Sequence, residues 1–136
     1  MKIHAGNLAI ATVAGFLLIY GLDYVINCII LKDAYSGISH LWRPIEEMQK
    51  LGIYSVFGQL VLAVSAALIF VHGYEGKGAE EGIKFGFYLG SIFAAFALCS
   101  YSHMPIEIGL MFAWIAAGYI KAIMLGVTFA ILYKKK

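Results

Sequence analysis

Apolar residues run along this chain in four long stretches, each about 20 residues or more, broken by three polar connections. An apolar run of that length matches the ~30 Å hydrocarbon core of a bilayer at ~1.5 Å of helical rise per residue, and it exceeds what a barrel strand needs. In lipid the backbone must satisfy its own polar groups, which each helix does within itself. The pattern therefore predicts an all-α integral membrane protein with helices over about 6–31, 45–72, 82–103 and 106–133, forming one domain over 1–136. One connection is of medium length and two are short, so sequential helices should lie antiparallel in an up-down-up-down bundle.

Composition agrees: 62% of residues are hydrophobic, 13% are charged, and the mean hydropathy is +0.84. A water-soluble domain of 136 residues could not bury that much apolar surface. The net charge of +2, spread over scattered lysines, gives no basic groove for nucleic acid. The first apolar run is long and lacks a small-residue cleavage site near its end, so it is expected to be retained, and Cys28 lacks the context of a lipoprotein cleavage site.

Outside the apolar runs, the stretch "SHLWRPIEEMQKLG" (39–52) holds most of the charge between the first two helices. Pro44 and Pro105 are both expected in first helical turns, where the missing N–H costs nothing. Glu46 and Glu47 then lie at a positive helix end, Lys50 stands four residues from Glu46 for an ion pair, and Trp42 and Arg43 suit lipid headgroups. This reads as the place where the chain re-enters the bilayer. The Gly-rich turn "HGYEGKGAEEG" (72–82) lacks the form of a phosphate loop and is expected to be a flexible connection.

Orientation follows from Lys and Arg. Lys2, Lys77, Lys84, Lys134, Lys135 and Lys136 fall on one side, and Lys32, Arg43 and Lys50 on the other, so both termini are expected in the cytoplasm.

Helix three carries Gly82, Gly86, Gly90 and Ala94 at four-residue spacing, and helix four carries Gly118, Ala122, Gly126 and Ala130 likewise. Small residues in line let helix backbones approach and gain dispersion contact in lipid. The spacing marks packing faces without saying whether the partner helix is in the same chain.

Two charges fall inside apolar runs, Asp23 and Lys121. Measured from the outer helix ends, Asp23 lies ~12 Å deep and Lys121 ~22 Å, so a direct pair would need the lysine to reach. Tyr20, Asp23 and Asn27 share a stripe on helix one, Ser55 and Gln59 on helix two, and Glu107, Trp114, Gly118 and Lys121 on helix four. These faces read first as interhelical hydrogen-bond glue, with a proton or ion path as the alternative.

His4 and His72 fall at one surface, His40 and His103 at the other, so no two form a mid-membrane haem pair. His40, His103 and Glu107, with Glu46 and Glu47 nearby, are the candidates for an outer metal site, though no HExxH or CxxC spacing supports them and no cofactor is expected. Cys28 and Cys99 lie at similar depth on helices that would be diagonal, which favours small core residues over a disulfide.

The elements "LWRPIEEM" after helix one and "EEGIKFGFYLG" opening helix three resemble those of small uncharacterised four-helix inner-membrane proteins of bacteria. That resemblance implies the architecture and a bacterial inner membrane, with no activity to carry over. The expected function is a non-catalytic accessory subunit that packs, through its small-residue faces, on a larger membrane complex or on further copies of itself. The alternatives are a small transporter or channel component using Asp23, Gln59 and Lys121, and a haem or metal electron carrier.

Overall fold

In a computed structural model that describes residues 3–134, every regular element is helical. Four helices are long and apolar enough to cross a membrane: Ala5–Ile30, Gly52–His72, Ala79–His103 and Ile108–Leu132. The first is α1 (Ala5–Val25) continued by a π-helical turn (Ile26–Ile30), closed by the Leu31 N–H donating to the Ile26 carbonyl at 2.8 Å. A short α2 (Lys32–Ser36), a 3₁₀ turn (Ser39–Leu41) and α3 (Ile45–Lys50) follow. The remaining long helices are α4 (Gly52–His72), α5 (Ala79–His103) and α6 (Ile108–Leu132). Lys2, Lys135 and Lys136, which entered the orientation expectation, lie outside the described residues.

Several boundaries differ from the sequence reading. The helix expected over 45–72 is broken at Leu51, whose φ of −93° and ψ of 0° end α3 before α4 begins. Pro44 precedes α3 and accepts at its carbonyl from the Glu47 and Met48 N–H groups, both at 3.0 Å. Pro105 opens no helix: it lies in the linker between Met104 and Glu107, and α6 starts at Ile108. Arg43 pairs with Glu47 at 2.5 Å, and among the described residues no ion pair joins Glu46 to Lys50. The turn after α4, expected to be flexible, is organised by Glu81, whose carboxylate accepts the backbone N–H groups of Glu75, Gly76 and Lys77 at 2.6, 3.0 and 3.0 Å. Gly76 and Gly78 supply the positive φ angles (83° and 71°) that this tight turn requires. Lys77 pairs with Glu75, which holds the Glu75 carboxyl below its usual range and the Lys77 ammonium above its own.

In space α1 lies between α4 and α6, and α6 in turn lies against α5. The closest approach is that of α5 and α6, and the two small-residue faces make it by meeting each other. A methyl on Gly82 would overlap the backbone of Gly126, one on Gly86 would stand 2.7 Å from the Ala122 carbonyl oxygen, and one on Gly90 3.1 Å from the Tyr119 Cα. A third small-residue stripe, Ala11 and Gly15 of α1, receives α6, and a methyl on Gly15 would press within 2.8 Å of Leu125. These pairs, with Asn7 Nδ2 donating to the Lys134 carbonyl at 2.7 Å, set α1 antiparallel to α6 and α5 antiparallel to α6.

The two ends of the bundle are built differently. At the terminal end, where Asn7 meets Lys134, Phe70, Tyr74, Phe85, Phe129 and Tyr133 stack with ring centroids 5.1–6.2 Å apart. These rings close over Ala63, Ala66, Ala67 and Leu125, all at 1% exposure or less. At the opposite, capped end, α2 and the 3₁₀ turn fold over the start of α6, burying Ile38 against Ile106 and Leu110. Large apolar side chains such as Leu17, Phe57, Ile69, Phe96 and Phe112 point outward along all four helices, as lipid-facing residues would.

Candidate functional site

Asp23 sits on α1 one turn beyond Ile19, continuing the inward stripe of Ala11, Gly15 and Ile19. That placement aims its carboxylate at the seam between α4 and α6. Lys121 Nζ donates to Asp23 Oδ1 at 2.5 Å, and Gln59 Nε2 of α4 donates to Asp23 Oδ2. One carboxylate thus receives a donor on each oxygen from two other helices. The Asp23 and Lys121 side chains keep 20% and 23% of their surface, so the pair lies at the edge of open space and not within packed core. The ammonium also stands 5.9 Å from the Phe93 ring centre, where the negative face of the ring favours it.

Counting depth from helix ends placed Asp23 and Lys121 about 10 Å apart along the membrane normal. Packing shows why that fails. With Gly15 set against Leu125 and Phe129, the antiparallel register puts Asp23 level with Lys121 to within about a turn. The start of α6 continues beyond the end of α1 and carries α2 there, so the two helix ends are not level.

Beside the pair lies a cavity of about 480 Å³, lined by Asp23 of α1 and Asn27 of the π-helical turn, Ser55, Gly58 and Gln59 of α4, Phe93 and Ser100 of α5, and Trp114 and Lys121 of α6. It exists because α4 and α5 converge chiefly at the terminal end, where Phe70 stacks on Phe85, and stand apart toward the capped end. The Gln59 carbonyl oxygen is buried and has no hydrogen-bond partner among the described residues. Turning that amide over would aim its oxygen at the Asp23 carboxylate, so the present orientation is the one the charges favour.

A second chain of hydrogen bonds runs toward the capped end. Asn27 Nδ2 donates to the Asp23 carbonyl at 3.0 Å, Tyr35 Oη donates to Asn27 Oδ1 at 2.7 Å, and Trp114 Nε1 donates to Tyr35 Oη at 2.8 Å. Burial pushes the Tyr35 phenol above its ordinary pKa, and the Trp114 hydrogen bond opposes that shift in part. Tyr35 stays a neutral donor, which the bond to Asn27 needs.

Of the residues singled out in the sequence, Asp23, Asn27, Ser55, Gln59, Lys121, Trp114 and Gly118 share this cavity. Tyr20 does not: its side chain is 47% exposed and lies against Phe16. Glu107 does not belong to the Lys121 stripe either, because it caps α6 from outside the helix and lines a separate depression with Asp33. His40 is exposed, and His103 Nδ1 bonds to the Cys99 carbonyl and the Ser102 hydroxyl of its own helix. Among the described residues no group of three or more His, Cys, Asp or Glu side chains is arranged to hold a metal ion, so His40, His103 and Glu107 are not brought together as one. Cys28 and Cys99 are free thiols on outward faces and not core residues, since each falls beside, not on, the inward stripe of its helix. Tyr35 was not anticipated, and nothing in its local sequence marks it. Gly15 was also missed, although its four-residue spacing from Ala11 is the signal that found the other small-residue faces. Comparison with known protein families, curated proteins and solved structures finds no match for the chain.

Proposed function

We propose that this chain is a small, non-catalytic transport component that takes up a solute at the Asp23, Gln59 and Lys121 centre. In this reading the four helices cross the inner membrane of a bacterium, both termini are cytoplasmic, and the cavity looks toward the outer side. The Lys and Arg distribution and the resemblance of the "LWRPIEEM" and "EEGIKFGFYLG" elements support that placement. The observation that carries the functional reading is an acid and a base, each partly exposed, beside a cavity of about 480 Å³ in a helix bundle. Charged groups at membrane depth are costly, and those that pair at the edge of a cavity mark the sites of substrate and ion pathways.

An accessory subunit is the second reading. Its first motive was the pair of small-residue faces, and these are occupied by each other between α5 and α6. Its remaining support is the wide apolar surface of α4 and α5, which suits lipid equally well.

A thermal-unfolding screen of the detergent-purified protein against small polar solutes and amphiphiles tests the proposal. Ligand at ~100 times its Kd stabilises by ~2.7 kcal/mol, a readily measured rise in melting temperature. Compounds are expected that stabilise the wild type and leave the Asp23→Asn, Lys121→Met double variant unmoved. A protein that responds to nothing in the panel and purifies from gentle detergent in stable association with a different protein overturns transport in favour of the accessory reading.

A further inference from the structure

Of the side chains that line the cavity beside the ion pair, only Asp23 and Lys121 carry charge, one acid and one base. The neutral polar groups around them are largely engaged. Asn27 donates to the Asp23 carbonyl and accepts from Tyr35, Gln59 Nε2 donates to Asp23, and Ser100 Oγ donates to the Phe96 carbonyl at 2.8 Å. The charge pair has capacity left. A carboxylate offers about four lone-pair sites, of which Asp23 uses one on each oxygen, and Lys121 gives Asp23 one of the three protons of an ammonium. Both side chains keep part of their surface at the cavity edge, so a solute inside can reach the acid and the base together.

We infer that the cavity takes a small zwitterion with an apolar body, a neutral α-amino acid being the simplest, with its ammonium on the Asp23 carboxylate and its carboxylate on the Lys121 ammonium. The inference rests on the transport reading and names its substrate class. Asp23 and Lys121 stand 2.5 Å apart, so a solute of one charge that approaches its attractive partner also approaches the repelling one, and the two interactions largely cancel. A zwitterion laid antiparallel to the pair meets an opposite charge at each end. A hydroxyl or amide offers the same two groups only partial charges and gains less. The cost of desolvating the solute's charges is held down because the pair is partly exposed and a cavity of about 480 Å³ has room beside a small solute for waters of ~30 Å³ each. That volume lies within the ~300–1,000 Å³ of small-molecule sites, and Leu62, Phe93, Phe96 and Trp114 supply an apolar wall for the body.

The probes are alanine, leucine and phenylalanine, each compared with three relatives of the same side chain: the amide, which keeps only the ammonium, the deaminated acid, which keeps only the carboxylate, and the N-acetyl amide, which has neither charge. Binding is read from the rise in melting temperature of the detergent-purified full chain as each probe is titrated, at about pH 6, where an α-amino group is protonated and a carboxylate ionised. For at least one side chain the free amino acid is expected to bind at least about tenfold tighter than all three relatives, equivalent to ~1.4 kcal/mol. In the Asp23→Asn, Lys121→Met double variant the four forms are expected to become equal. The inference is overturned if none of the three amino acids stabilises the wild type, if a singly charged or uncharged relative stabilises it as well as the zwitterion does, or if the folded double variant keeps the preference. The comparison of the four forms is made on the wild type, so it decides the matter even if the double variant fails to fold. Other solutes that stabilise the wild type and not the double variant would in that case leave the transport reading standing and remove only the zwitterion.

Discussion

Replacing Gly86 by Ala tests the packing of α5 on α6 with a single methyl. The new Cβ would overlap the Ile123 Cα and stand 2.7 Å from the Ala122 carbonyl oxygen, where ordinary contact begins at 3.4 Å. Both neighbours are backbone, so no rotamer change relieves them. The helices must part by about 1 Å, and a gap of that size forfeits up to about half of each dispersion contact along the seam. Overpacking of this kind costs ~1–3 kcal/mol. Gly21→Ala supplies the matched control: it too sits within a long helix, but its added methyl meets nothing within 4 Å. The gain in helix propensity, ~1 kcal/mol in water, is common to both and cancels in the comparison. Gly86→Ala should therefore be about 2 kcal/mol less stable than Gly21→Ala, measured by circular dichroism as SDS is titrated into mixed micelles. A difference below about 0.5 kcal/mol, the range of an ordinary surface substitution, would mean that the α5–α6 seam is not closed as described.

Lys121→Met should destabilise by roughly 1–3 kcal/mol, less than for a fully enclosed pair because the cavity leaves both groups partly exposed, and adding Asp23→Asn should restore at least half of the loss in the same assay. Tyr35→Phe removes the link between Trp114 and Asn27 and should cost about 1–2 kcal/mol near neutral pH. The Tyr35 pKa is raised by burial, so this stability is present below the ordinary tyrosine value of ~10 and is lost as pH climbs through the raised one. Unfolding curves for the wild type and Tyr35→Phe should accordingly converge as pH rises above about 10, and a constant gap would contradict the buried phenol. Glu81→Gln weakens three backbone hydrogen bonds by removing their charge, so limited proteolysis should cut between Gly73 and Gly78 markedly faster; unchanged cutting would show that the turn holds its shape without the carboxylate.

The helical architecture was legible because lipid-length apolar runs and backbone self-satisfaction leave little choice. The glycine faces were legible too, since four-residue spacing projects onto one side of a helix whatever lies opposite. The pairing of Asp23 with Lys121 was not, because depth was counted from helix ends, and only Gly15 seated on Leu125 and Phe129 sets the real register. The π-helical turn over Ile26–Ile30 lies between Asp23 and Tyr35, and it alters which side chains past Val25 face inward. A 3.6-residue period drawn through that stretch cannot anticipate the bond from Tyr35 to Asn27. The organised turn at Glu81 was missed for a related reason: Gly-rich composition reports freedom in the unfolded chain and says nothing of a carboxylate six residues ahead that gathers three N–H groups.

The glycine seam between α5 and α6 also bears on how the chain assembles. Its contacts join residues of a single hairpin, from Gly82 to Gly126, with only a four-residue linker over 104–107 between the helices. Closing so short a loop costs little chain entropy, so this hairpin is the unit that can form first once both segments are inserted. The opening helix has the opposite character, because its anchors at Leu125, Phe129 and Lys134 lie in and just after α6, far along the chain from it. Until those residues emerge, Asp23 stands without its ammonium in the most exposed of the four helices. The early chain thus carries an unpaired acid that stays uncompensated until α6 is made and Lys121 is brought against it.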